Sequence, residues 1–106
     1  MRPVFLLVML LALAACGARM SADTEERIEI LYAHTLQMQD YAASDNLQKI
    51  GINTAALNAP GTDSAEEKLV KLETAFSIEP KGTFENRITS LETRMAEIMA
   101  RWNEIT

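Results

Sequence analysis

One cysteine, one histidine and two adjacent glutamate pairs are the side chains of this sequence best suited to chemistry, and their spacing argues against most of it. A serine nucleophile needs a histidine within hydrogen-bond reach. Ser44 follows His34 by ten residues, which on a straight helix is about 15 Å, so the two do not form a catalytic couple. Zinc and di-iron sites need ligands at set spacings, and no Glu-x-x-His, His-Glu-x-x-His or Cys-x-x-Cys pattern occurs. Glu25-Glu26 and Glu66-Glu67 stand where helices are expected to begin, and there the helix dipole attracts negative charge. A catalytic acid and base would need contrasting surroundings instead. The four glycines are dispersed, so no phosphate-cradling loop is formed. The expectation is a protein that is not an enzyme and holds no metal and no dissociable cofactor.

The elements that would position these residues are helices. Two breaker clusters, Ala59-Pro60-Gly61-Thr62-Asp63-Ser64 and Glu79-Pro80-Lys81-Gly82-Thr83, divide the chain, and nowhere does apolar/polar alternation persist long enough for a strand. The pattern predicts an all-α fold, a small bundle or extended hairpin of about three helices over residues 23–50, 64–78 and 84–105. Ser64 with Glu67 reads as a capping box, Asp23 with Glu26 as a looser one, and Thr83 as the cap of the third helix. In the first segment Ile28, Leu31, Tyr32, Thr35, Leu36, Met38, Ala42, Ala43, Leu47 and Ile50 fall in one wide sector, enough to cover more than one neighbour. Gly51 either ends that helix or weakens it. Ile30 and Tyr41 lie on the opposite face, as scattered surface groups or as the start of a docking patch.

The third segment carries coiled-coil heptads. Phe84, Ile88, Leu91, Met95, Ile98, Trp102 and Ile105 alternate at spacings of four and three, with Ile88, Met95 and Trp102 at a and the others at d. Arg87, Arg94 and Arg101 occupy g, while Glu85 and Glu92 occupy e. In a parallel pair of identical helices, Arg87 would meet Glu92 of the second chain. Two readings stay open: the seam packs against the first segment inside one chain, or it pairs with a second copy or another protein. The second reading makes Phe84, Arg87, Ile88, Leu91, Glu92, Arg94, Met95, Ile98 and Trp102 the candidate interaction residues.

At the N-terminus, Arg2 precedes an uncharged stretch over residues 4–15 that closes on Leu13-Ala14-Ala15-Cys16. A dozen apolar residues are too few to cross a bilayer, which takes about 20 in a helix, whereas they suit a cleaved export signal. Leu-Ala-Ala-Cys resembles the lipobox of bacterial lipoproteins, and the resemblance covers residues 1–17. It implies cleavage between Ala15 and Cys16, with acyl chains such as palmitate on the Cys16 sulfur and amine. It also implies a signal peptide at 1–15, a lipidated spacer at 16–22 and a helical domain at 23–106. Ala12-Leu13-Ala14 also satisfies the small-x-small rule of an ordinary secretory signal, which would leave Cys16 as a free thiol. Lipidation accounts better for a single unpaired cysteine in an exported chain. Gly17 resembles the residue after the cysteine in lipoproteins sent to the outer membrane rather than kept in the inner one.

Loss of residues 1–15 leaves 91 residues with fifteen acidic against nine basic side chains, a single small domain that would repel nucleic acid and anionic headgroups. The function expected is that of a periplasm-facing outer-membrane lipoprotein, tethered by its lipid and working as a protein–protein contact or structural module. Two narrower alternatives follow. One is an accessory lipoprotein of a secretion or conjugation system, such as a pilot, entry-exclusion or assembly factor. The other is a binder of lipid or another apolar small molecule, lined by Met38, Met95 and Met99.

Overall fold

The computed structural model describes residues 20–59 and 64–106, and every regular element among them is helical. In chain order these are α1 (Ala22–Met38), α2 (Ser44–Lys49), α3 (Thr54–Leu57), α4 (Ala65–Phe76) and α5 (Phe84–Ala100), followed by a 3-10 turn at Trp102–Glu104.

Side-chain caps start the long helices. Ser64 accepts from the Glu67 amide at 3.2 Å and Thr83 from the Asn86 amide at 3.1 Å, as their positions predict. For α1 the cap is Ser21, which accepts from the Thr24 amide at 3.1 Å. Asp23, expected to cap, lies within the first turn, where its charge suits the helix dipole.

The single helix expected over 23–50 is instead two, α1 and α2, and the short α3 follows. A continuous helix of that length would run about 42 Å and carry Leu47 and Ile50 past the 12-residue α4, leaving them unpacked. The chain turns after Met38 and folds α2 and α3 back, so that Leu47, Ile50, Ile52 and Leu57 are all buried. Burial of four aliphatic side chains outweighs the helical preference of residues 39–43, which contain neither glycine nor proline. Gly51 ends α2. At φ 104° it lets its own amide bond Gln48 O at 3.1 Å and the Ile52 amide bond Leu47 O at 2.9 Å. Ser77 ends α4 in the same way at φ 58°, with Ile78 N bonded to Glu73 O at 2.9 Å.

α1 and α5 run side by side in the same direction. Arg27, early in α1, reaches Thr89 and Glu92 in the first half of α5, while His34 and Met38, late in α1, share a cleft with Met99 and Trp102. Two parallel neighbours require the chain between them to return, and residues 39–83 do so. α4 supplies the third wall of the core, setting Leu69, Leu72, Ala75 and Phe76 against Ile28, Leu31, Ile88, Leu91, Met95 and Ile98. α2 and α3 close one end of this core: Asn53 N donates to Ala75 O at 2.8 Å, and Tyr32 Oη donates to Leu57 O at 3.4 Å.

Candidate functional site

The heptad seam of α5 closes on its own chain. Ile88, Leu91, Met95 and Ile98 are buried, Phe84 is half-buried against the same core, and Trp102 falls in the 3-10 turn beyond the helix. These apolar positions pack within the chain, the first of the two arrangements that the heptads left open. The third helix expected over 84–105 ends at Ala100.

The charged flanks are also engaged internally. Arg87, which the heptad pattern would set against Glu92 of another chain, instead grips Glu73 of α4, Nε to Oε2 at 2.8 Å and Nη2 to Oε1 at 2.6 Å. Glu92 accepts from Arg27 of α1 through both carboxylate oxygens. Arg94 Nη1 donates to the carbonyl of Phe76, the last residue of α4, at 3.0 Å. Arg101 Nη2 donates to the carbonyl of Lys49, the last residue of α2, at 3.0 Å. The three arginines, spaced seven residues apart, thus tie α5 and its C-cap to one buried carboxylate and two helix C-termini, whose last carbonyls lack intrahelical partners and attract cations.

Hydrogen bonds to their carboxylate partners hold both Arg87 and Arg27 above the ordinary guanidinium value, against the opposing cost of burial. Sequence reasoning missed Glu73, yet a signal was present. It falls with Leu69, Leu72 and Phe76 at helical spacing, a polar residue in an apolar slot, and it is 3 % exposed.

His34 is exposed, and Ser44 is hydrogen-bonded to Thr54, so the structure does not join them. Glu25, Glu66 and Glu67 stand in first turns, as their positions predict. Among the described residues no cluster of three or more histidine, cysteine or acidic side chains could hold a metal. Ala15 and Cys16, the expected cleavage and lipidation residues, lie outside the described residues.

A concave site does form where α1 and α5 end. His34, Gln37 and Met38 enter it from α1, Tyr41 from the turn that follows, and Met99, Trp102 and Thr106 from the end of α5 and beyond. Its volume is about 450 Å³. Met38, 4 % exposed, forms the floor, while Tyr41 at 70 % and Met99 at 38 % stand at the open side. Two of the three methionines suggested as an adaptable lining meet here; the third, Met95, is buried in the core instead. The cleft depends on the chain turning after Met38, since that turn brings Tyr41 around to face α5, and residues 39–43 carry no breaker to announce it.

No protein-family model matches the chain, and no curated protein or solved structure proves similar to it.

Proposed function

We propose that this protein is a bacterial envelope lipoprotein, anchored through acylated Cys16 and facing the periplasm from the outer membrane, whose helical body works by contact rather than by bond-breaking chemistry. The observation that carries the reading is Leu13-Ala14-Ala15-Cys16 at the end of a signal-like apolar stretch, with its cysteine the only one in the chain. Each buried methylene contributes about 0.8 kcal/mol, so more than one acyl chain would hold the body at the bilayer without a protein span. None of the described helices is long and apolar enough to cross a membrane.

In this reading residues 16–21 are a short spacer before α1 begins at Ala22. The N-terminal ends of α1 and α5 then face the bilayer, and the cleft lies at the far end, about 25 Å away along α1. Contact with an envelope protein falls to the outer helix surfaces, where Ile30 and Val70 are exposed apolar groups.

The test is Cys16→Ala followed by detergent phase partition of cell extracts. The wild-type chain should enter the detergent phase and the variant the aqueous phase. Equal partition of the two would remove the anchor. Photocrosslinking from Ile30 or Val70 in intact cells should then capture an envelope protein.

A further inference from the structure

We infer that the cleft between the ends of α1 and α5 is a binding site for an uncharged single-chain amphiphile, such as a fatty alcohol or a monoacylglycerol. The inference does not rest on the lipid anchor.

Three observations on the cleft point the same way. Its size, about 450 Å³, falls within the range of roughly 300–1,000 Å³ usual for small-molecule sites. Its apolar part comes from Met38, Met99 and the rings of Tyr41 and Trp102, and thioethers and flat rings adapt to the irregular profile of a hydrocarbon chain. Its polar part is the imidazole of His34, the amide of Gln37 and the indole N–H of Trp102, none of which hydrogen-bonds to another described residue. Glu73 with Arg87, Lys68 with Glu29, and Arg94 with Phe76 O are by contrast paired within the chain. Donors and an acceptor left open beside an apolar wall are what an alcohol, ester or amide head would engage.

Charge selects among heads. The lining contains no lysine, arginine, aspartate or glutamate, in a chain whose formal net charge is −5. A carboxylate or phosphate head would enter an acidic protein with no cation to meet it, at a desolvation cost that nothing offsets. An ammonium head would find no acidic side chain among the lining residues either. A neutral head loses nothing on either count.

Trp102 is the chain's only tryptophan and lines the cleft, so its fluorescence reports occupancy directly. The experiment uses the full chain in phosphatidylcholine vesicles, titrated with a terminally brominated medium-chain alcohol, because bromine quenches an indole it touches. Saturable quenching with a blue shift is expected for wild type and for Ile30→Glu, which places a charge outside the cleft. In Met99→Glu and Tyr41→Asp, which place a charge at its open side and should melt like wild type, apparent affinity should fall at least about tenfold. The corresponding brominated carboxylate should bind more weakly than the alcohol at neutral pH.

Quenching of equal strength in the cleft variants, or quenching that never saturates, would mean simple partition into the bilayer and would overturn the assignment. So would a carboxylate that binds as well as the alcohol. Trp102 emission that shifts with the surface density of protein, and not with the probe, would make the cleft an interface between copies and would equally overturn it.

Discussion

Arg87 and Glu73 meet in a two-point pair that locks α5 to α4, with the Glu73 carboxylate almost wholly withdrawn from solvent. Removing one partner leaves the other charge unpaired at a site built for two. Arg87→Met should therefore destabilise the fold by about 3–5 kcal/mol, while adding Glu73→Leu to it should recover most of that loss. Urea denaturation of the two single variants and the double variant, read as a thermodynamic cycle, checks both halves.

The same pair fixes a pH signature. Both Arg87 and Arg27 are held above the ordinary guanidinium value, Arg87 by its hydrogen bond to Glu73 and Arg27 by its bond to Glu92. A cation whose folded value is raised contributes stability that is complete below its unfolded value and lost only as pH climbs through the folded one. Here that window lies beyond about pH 12, so the arginines add no slope near neutrality. The difference in stability between wild type and Arg87→Met should stay constant from about pH 6 to 9 on the arginine side of the pair. Melting curves across that range test it, and a difference that vanished by pH 9 would be inconsistent with a guanidinium in that role.

Leu91 is fully buried among residues of its own chain. Leu91→Ala should cost about 2–5 kcal/mol through lost transfer energy and the cavity left behind, with no change in the molar mass of the detergent-solubilised protein. Calorimetry and light scattering separate the two effects. A drop in mass without a drop in melting temperature would return the seam to an intermolecular role.

Two backbone positions should respond in opposite directions. Gly51 holds a positive φ that alanine adopts poorly, although a Cβ there would meet only Ile98 Cγ1 at 4.0 Å, so Gly51→Ala should lose about 1 kcal/mol or more through the backbone alone. Ser77 carries the left-handed conformation with a side chain attached, and Ser77→Gly should gain a few tenths to about 1 kcal/mol. Paired denaturation curves give the sign of each.

Legibility in the sequence followed the range of the forces involved. The all-α class, the caps at Ser64 and Thr83, and the buried line of Ile88, Leu91, Met95 and Ile98 all come from local spacing, and the structure contains each of them. The turn after Met38 does not. Nothing in residues 39–43 demands it, and it arises because folding back buries Leu47, Ile50, Ile52 and Leu57 in the common core. Strict heptads with one charge sign on a flank resemble a two-stranded coil. In three dimensions the same arginine row serves a shorter errand: Arg87 reaches a neighbouring carboxylate, and Arg94 and Arg101 reach carbonyls at helix ends. A spacing rule cannot tell a partner's glutamate from a main-chain oxygen. The cleft was equally hidden, since its walls come from residues 34–41 and 99–106, joined only by the parallel course of α1 and α5.

The proposed acylation of Cys16 is tested most directly by intact-mass and peptide analysis of the protein isolated from its native cells. The account predicts an N-terminal peptide that begins at Cys16 and carries a diacylglyceryl thioether with an acylated amine. An uncut leader, or a peptide whose cysteine is an unmodified thiol, would contradict it.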